Sequence, residues 1–149
     1  MKKLTFAALA VLIISCAKET KTSLPESMTC LINGESWTAD TKIIDRRNNK
    51  INLYGKPDGA QFIVIEVSDW GESTYDLTAY ECFGQVSGNG GSHFATNNNG
   101  WGNMVVSSIA GHDWNKRMSG TFNFTAFTNS GEKIEVTNGK FTNVPFVVE

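Results

Sequence analysis

Apolar and polar side chains alternate along most of this chain, which is the pattern of β-strands that bury one face. The cleanest alternation covers residues 121–126, where Phe122, Phe124 and Ala126 are predicted to face inward. Residues 61–67 form a near-continuous apolar run, which predicts a central strand buried on both faces. Further strands are predicted at residues 28–32, 36–44, 51–54, 74–80, 103–110, 133–136 and 140–148.

Asn-Gly and Asp-Gly pairs separate the strands, and such pairs tolerate the positive φ angles of tight turns. They begin at Asn33, Asp58, Asn89, Asn99 and Asn138. The first pair predicts an opening hairpin, and the last is predicted to separate the two final strands. Residues 85–102 are rich in Gly and Asn and predict a long loop, enclosing at most a short strand at residues 92–96. Pro145 indicates that the last strand is an edge strand or is bulged there.

These segments together predict an all-β fold, an antiparallel β-sandwich or flattened barrel of about eight or nine strands. The composition agrees, since the 149 residues include 14 Gly and no helical pattern of useful length follows the first fifteen residues. Thirteen Lys and Arg against 15 Asp and Glu give a net charge of -2. The chain therefore has no basic excess with which to bind nucleic acid.

The N-terminus has the layout of a lipoprotein signal peptide. Lys2 and Lys3 precede an apolar run that ends in Ile13-Ile14-Ser15-Cys16, similar to a bacterial lipobox. Residues 1–15 are accordingly predicted to be the signal peptide, Cys16 the lipidated residue, residues 16–26 a polar tether, and residues 27–149 a single β domain. The alternative is a soluble secreted protein in which the Cys at position 16 is accidental.

Lipidation at Cys16 predicts attachment to the cell envelope, because two or three acyl chains hold a protein firmly on a membrane. Ala17, where an Asp would resemble an inner-membrane retention signal, favours the outer membrane. The periplasmic and surface-facing orientations both stay open.

Cys30 and Cys82 are the two cysteines that lipidation does not use, and an even pair in an oxidising compartment predicts a disulfide. The alternative is a pair of buried, unpaired thiols that pack as small apolar side chains.

The chain also resembles a family of small lipoproteins of the Bacteroidota. The resemblance rests on Cys16, on Ile32-Asn33-Gly34-x-x-Trp37, and on a C-terminal block. That block runs from Ser119-Gly120-Thr121-Phe122 to Thr137-Asn138-Gly139-Lys140-Phe141 and on to Phe146. It implies an extracytoplasmic all-β domain and carries over no catalytic or ligand-binding residue.

The sequence contains few candidates for catalytic or metal-binding residues. His93 and His112 lack the spacing of a zinc site, and the sequence has no nucleophile elbow or phosphate-binding loop. No catalytic residue, metal or cofactor is therefore predicted. A hydrolase with paired carboxylates would have to draw on the acidic residues Glu66, Asp69, Glu72, Asp76 or Glu81.

Three tryptophans stand beside Gly, Asp or Asn in predicted loops, namely Trp70, Trp101 and Trp114. Exposed Trp on a rigid β scaffold stacks on sugar rings or anchors a protein partner, so these three are the candidate ligand-binding residues. Each could instead pack against the domain, and Trp37 is predicted to be core.

The leading hypothesis is a lipid-anchored, non-catalytic domain that binds a glycan, peptide or protein of the envelope. A structural lipoprotein without a diffusible ligand and a hydrolase are the alternatives.

Overall fold

The computed structural model describes residues 24–47, 50–59, 61–68, 71–78, 81–88, 90–112 and 115–148. Eleven strands and no α-helix lie in these residues. The strands are β1 (Ser27–Ile32), β2 (Glu35–Thr38), β3 (Thr41–Arg47), β4 (Lys50–Lys56), β5 (Ile63–Ser68), β6 (Thr74–Asp76), β7 (Phe83–Ser87), β8 (His93–Ala95), β9 (Trp101–Ala110), β10 (Arg117–Phe127) and β11 (Lys133–Val148). In this described part of the chain, nothing helical is long and apolar enough to cross a membrane.

The strands form two layers that close on each other. The strands are hydrogen-bonded as one 11-stranded sheet in the order β2-β1-β11-β3-β4-β5-β7-β8-β10-β9-β6, and a further pairing of β11 with β10 closes it on itself. Gly55 of β4 faces Met28 of β1, and Gly84 of β7 faces Phe124 of β10. We therefore call β2-β1-β11-β10-β9-β6 one layer and β3-β4-β5-β7-β8 the other. The C-terminal end of β11 joins them on one side, where Phe146, Val147 and Val148 pair in parallel with β3. On the other side Phe127 of β10 pairs with Ala95 of β8. Every described pairing except β11–β3 is antiparallel, so the predicted all-β sandwich or flattened barrel is confirmed.

The strand count exceeds the expected eight or nine for two reasons. Residues 36–44 split at Ala39 and Asp40, so that β2 pairs with β1 while β3 turns to pair with β4. The expected long loop also contains the end of β7, whose Gln85 pairs with Val64 of β5. The many Gly and Asn residues there predicted a loop, but β7 with five residues and β8 with three fit between the turns that these residues form.

Asn138-Gly139 is not a turn, which corrects a second prediction. β11 runs unbroken through it, and Asn138 has a φ of 53°. The pairing register of β11 slips there by one residue against both β1 and β10. Asn143, with a φ of 54°, marks a second slip against β10, two residues before Pro145. Both are β-bulges, in which a left-handed residue absorbs one extra position instead of reversing the chain. The bulge predicted near Pro145 is confirmed.

The core lies between the layers and matches the alternation in the sequence. Phe122, Phe124 and Ala126 are buried as predicted. β5 is central in its layer, but only its inner face is fully buried, because Val64 and Glu66 on the other face are half-buried. Trp37 is buried in the core, as predicted. Its ring lies over Gly55 of β4, where an added Cβ would come within 2.9 Å of the indole.

The predicted disulfide between Cys30 and Cys82 is wrong, because both are buried free thiols. Cys30 lies in β1 opposite Trp37, whereas Cys82 precedes β7 and accepts a hydrogen bond from the Ser68 backbone at 3.5 Å. β11, β3, β4 and β5 stand between β1 and β7 in the strand order, so the two thiols belong to elements that do not pair. Burial raises the pKa of the Cys30 thiol to about 12.

The residues just before β1 are fastened to the domain. Asn143 Nδ2 donates a hydrogen bond to the Leu24 carbonyl at 2.6 Å, and Glu26 forms an ion pair with Arg117. Arg117 also donates to the Asn143 carbonyl at 3.0 Å, and the Asn143 N–H donates to Ser119 Oγ at 2.9 Å. The last residues of the predicted tether are therefore held at the β11 bulge, and we call these contacts the N-terminal clamp. Residues 1–23, Cys16 among them, lie outside the described residues.

Candidate functional site

Of the three candidate tryptophans, the structure describes Trp101; Trp70 and Trp114 lie outside the described residues. Trp101 is 56 % exposed, which is unusual for so large an apolar side chain. Trp37 differs sharply, since it is 8 % exposed and its Nε1 donates a hydrogen bond to the Gln61 carbonyl at 3.1 Å. Trp101 is therefore the described tryptophan that is available to a ligand.

Trp101 is exposed but held in place. It begins β9 and pairs with Thr125 of β10. The next residue, Gly102, lies so close to β10 that an added Cβ would be 2.3 Å from the Asn123 carbonyl oxygen. The indole packs against Phe127, with ring centroids 6.0 Å apart and planes tilted by 51°. A ring fixed by its backbone and one aromatic neighbour loses little conformational entropy when a ligand stacks on it.

A cleft of about 510 Å³ lies on the Phe127 side of this aromatic pair. It runs between the turn after β8 and the turn joining β10 to β11. We call it the amide cleft, after its lining by Asn97, Asn98, Asn99, Phe127, Thr128, Asn129 and Gly131. Asn98 Nδ2 donates to the Phe127 carbonyl at 3.1 Å, which ties the first turn to β10. Asn97, Asn99 and Asn129 are exposed.

The turn after β8 is anchored from below by Thr96. This residue is 1 % exposed, and its hydroxyl donates to the Leu77 carbonyl at 2.5 Å. The same oxygen accepts a hydrogen bond from the Gly84 N–H at 3.1 Å. Both hydrogen bonds are buried, so removing the hydroxyl would leave polar groups unpaired. The asparagines of the amide cleft thus stand on a fixed base.

A second cleft, of about 500 Å³, lies on the Trp101 side. We call it the outer-face cleft; it is lined by Thr74, Asp76, Thr78, Trp101, Gly102, Asn103 and Asn123. Asn123 Nδ2 donates to Asn103 Oδ1 at 3.0 Å across the β9–β10 pairing. Asp76 Oδ1 accepts hydrogen bonds from Thr78 Oγ1 at 2.7 Å and from the Thr78 N–H at 2.9 Å. These bonds lower the pKa of the Asp76 carboxyl. We refer to the two clefts and the aromatic pair together as the Trp101 end.

A larger groove, of about 720 Å³, crosses the outer face of the other layer. We call it the β4 groove; it is lined by Ile43, Asp45, Lys50, Asn52, Tyr54, Val64 and Glu66. The register places Asn52 between Asp45 and Glu66, so their Cα atoms are about 9.6 Å apart. Glu66 is already paired, because its Oε1 is 2.5 Å from Lys50 Nζ.

Of the other acidic candidates, Glu72 and Asp76 lie on the other layer from Glu66. Glu72 accepts a hydrogen bond from the Ile109 N–H at 3.0 Å, on the β6–β9 layer, and Asp76 belongs to the outer-face cleft. Glu81 is exposed before β7, and Asp69 lies outside the described residues. Glu72 and Asp76 are therefore not placed to form a catalytic pair with Glu66.

The histidines also stand apart. His93 lies in β8, with Nδ1 3.3 Å from Gln85 Nε2, whereas His112 is exposed after β9. Among the described residues, no group of three or more His, Cys, Asp or Glu is arranged to hold a metal ion.

Sequence reasoning missed Phe127 and the asparagines of the amide cleft as site residues. The Gly- and Asn-rich stretch signalled a turn after β8, and residues 129–131 signalled another after β10. What joins the two turns is the pairing of Phe127 with Ala95 and of Thr125 with Trp101. Alternation alone does not specify that register.

Comparison with known protein families identifies the family to which the chain belongs. Residues 26–145 match the family described as a domain of unknown function, DUF6252, and the chain belongs to this family. No curated protein and no solved structure matches the chain.

Proposed function

We propose that this member of the DUF6252 family is a lipid-anchored, non-catalytic domain of the cell envelope that binds a glycan at the Trp101 end. The observation that carries the proposal is Trp101 itself, 56 % exposed and packed on Phe127 between two clefts lined by amides and hydroxyls. An exposed Trp fixed in this way is a typical energetic centre of a binding surface.

The chemistry of the Trp101 end suits a sugar. The apolar face of a sugar ring stacks on an indole, which supplies contact area at low entropic cost. Sugar hydroxyls both donate and accept hydrogen bonds, and so do the side-chain amides of Asn97, Asn99, Asn103 and Asn129. A few placed polar groups around an aromatic ring are what orients a small ligand.

Lipid attachment is the second part of the proposal, and Cys16 is the residue that carries it. We expect the wild-type protein to fractionate with membranes and to carry acyl groups on the N-terminal cysteine by mass spectrometry. A Cys16→Ser variant should lose the acyl groups and appear in the soluble fraction or retain an uncleaved leader. A soluble, unmodified wild-type protein would remove this part of the proposal. Association with the outer membrane, as proposed, would be tested by separating the two membranes.

Glycan binding is tested with the full-length protein in detergent, applied to an array of envelope and extracellular polysaccharides. We expect at least one glycan to bind and its affinity to fall about 30-fold in Trp101→Ala, the loss typical of a central aromatic contact. Val147→Ala is the matched control, because Val147 is an exposed apolar residue in β11, away from both clefts. Equal binding by wild type and Trp101→Ala would refute the site, and binding of no glycan would refute the function.

A non-catalytic role is proposed because the described Trp101 end offers Asp76 as its carboxylate, and that group is engaged with Thr78. The bound glycan should be recovered at its original length after prolonged incubation. Shortened products that disappear in Glu66→Gln would favour the hydrolase alternative and direct attention to the β4 groove.

A further inference from the structure

We infer that the ligand is an uncharged glycan chain that lies across the Trp101–Phe127 pair, with sugar units in both clefts. This inference rests on the proposed function and specifies the class of glycan.

The two clefts carry little charge. The described lining of the amide cleft contains no charged side chain, and that of the outer-face cleft contains one, Asp76. Lys133 pairs with Phe127 in the β10–β11 register, but its Nζ lies 2.7 Å from Glu135 Oε1. Arg and Lys are the side chains that bind a uronate or sulfate most strongly in proteins. The described Trp101 end instead presents amides and hydroxyls, which suit neutral hydroxyl groups.

The two clefts meet at the Trp101–Phe127 pair. Phe127 lines the amide cleft, Trp101 lines the outer-face cleft, and the two rings are 6.0 Å apart. The aromatic pair is therefore a shared wall over which one ligand can pass from cleft to cleft. A single sugar stacked on Trp101 would reach the groups of one cleft. A chain of several sugars reaches the amides of both Asn129 and Asn103.

The backbone beside Trp101 argues against an extended peptide. A peptide that adds to a sheet needs an edge with unpaired N–H and carbonyl groups. β9 is hydrogen-bonded to β10 from Trp101 onward. On its other side the Gly102 carbonyl accepts a hydrogen bond from the Leu77 N–H at 3.0 Å, and Asn103 pairs with Asp76. Recognition at this place therefore falls to side chains, which is the mode that suits a sugar.

The test is a calorimetric titration of the full-length protein in detergent with oligosaccharides of defined length. The neutral probes are the disaccharides and hexasaccharides of cellulose, xylan, mannan and chitin. The acidic probes are a hexagalacturonate and a heparin hexasaccharide. We expect a neutral hexasaccharide to bind at least tenfold more tightly than its disaccharide, and at least tenfold more tightly than either acidic probe. We also expect its affinity to change little between 50 and 300 mM salt, since no ion pairs form.

Two single variants then measure how much each cleft contributes to the affinity for the hexasaccharide. Asn129→Ala in the amide cleft and Asn103→Ala in the outer-face cleft should each weaken the hexasaccharide about five- to tenfold, the loss expected for one well-placed hydrogen bond. Ser107→Ala is the matched control, because Ser107 is exposed in β9 but lines neither cleft. All three changes are at exposed positions, so the fold should be retained.

The outcomes separate this inference from the function beneath it. Tighter binding of an acidic probe that still requires Trp101 would overturn the uncharged ligand and leave the glycan-binding site intact. Equal affinity for disaccharide and hexasaccharide, or sensitivity to only one of the two variants, would overturn the chain that crosses both clefts. If neither class of probe binds, and the wider array also shows nothing, the proposed function itself fails.

Discussion

The Trp101 end and the β4 groove lie on opposite layers and differ in charge and in the exposure of their aromatic rings. The groove is larger, at about 720 Å³, but its Lys50 and Glu66 are bound to each other and its Tyr54 ring packs against Phe62 with centroids 5.9 Å apart. The Trp101 end has smaller clefts and an exposed indole. Cleft volume and the exposure of an aromatic side chain to a ligand are therefore separate properties, and the proposal of glycan binding rests on the second.

The largest effect should come from the scaffold beneath Trp101. Gly102→Ala would place a Cβ 2.3 Å from the Asn123 carbonyl oxygen and 2.4 Å from the Phe124 Cβ, both in β10. We expect a loss of about 3 kcal/mol in the free energy of unfolding, measured by urea denaturation, together with loss of glycan binding. Gly71→Ala is the control, since nothing lies within 4 Å of its added Cβ. An unchanged stability in Gly102→Ala would contradict the tight β9–β10 contact.

Removing one aromatic ring from each region should give opposite results. Trp101→Ala should lower glycan affinity about 30-fold and change the free energy of unfolding by less than about 0.5 kcal/mol, because much of the ring is exposed. Tyr54→Ala should leave the affinity unchanged and cost about 1 to 2 kcal/mol of stability, because its half-buried ring packs on Phe62. Calorimetry and thermal unfolding measure both. Loss of binding in Tyr54→Ala would make the β4 groove the better site.

The ion pair of the β4 groove should matter less. Lys50 and Glu66 have side-chain exposures of 36 % and 19 %, so solvent screens much of their attraction. We expect Glu66→Gln to cost about 0.5 kcal/mol in low salt, and less in 0.5 M salt, with no effect on glycan affinity. Urea unfolding at the two salt concentrations checks this. A cost that is the same at both would mean that the charges are not the source of the effect.

The smallest effect concerns the one carboxylate of the Trp101 end. The Asp76 carboxyl has a lowered pKa, first because of the Thr78 side-chain hydrogen bond and then because of the Thr78 backbone bond. Since the folded-state pKa lies below the unfolded-state pKa, the stabilising contribution is present above the unfolded value of about 3.9 and is lost as pH falls through the folded value. The Asp76 carboxyl is therefore ionised at neutral pH, and its titration should not change the glycan affinity there.

An NMR titration of the Asp76 carboxyl tests the cause of that shift. Thr78→Ala removes one of the two hydrogen bonds and should raise the pKa part of the way to its ordinary value. Thr74→Ala, in the same cleft, serves as the control. If Thr78→Ala leaves the pKa unchanged, the side-chain bond is not its main cause.

The sequence predicted burial correctly where the pattern within a single strand determines which side chains are buried. The alternation of Phe122, Phe124 and Ala126 predicted a buried face, and the position of Trp37 predicted a core residue. It failed where the outcome depends on which strands become neighbours. Asn138-Gly139 has the chemistry of a turn, but two flanking strands hold it as a bulge. An oxidising compartment and an even number of cysteines favoured a Cys30–Cys82 disulfide. Whether the two thiols meet depends on the order of the strands that carry them.

The candidate site shows the same division. Trp101 could be named from its neighbours in the sequence, because Gly and Asn around a Trp favour an exposed position. Its partner Phe127 could not, since it follows the apolar alternation of β10 and reads as one more strand residue. The two rings meet only because the β10 register aligns Thr125 with Trp101.

The N-terminal clamp determines how mechanical load would pass through the domain. The clamp holds Leu24 and Glu26 beside Arg117, at the start of β10, whereas Trp101 and Phe127 lie beside its other end. The eleven residues of β10 span about 33 Å between these points. A bound polymer that pulls away from an anchored N-terminus would therefore pull along the strands. The hydrogen bonds that join β1 and β10 to β11 run across that direction, so they would share the force in shear instead of opening one at a time.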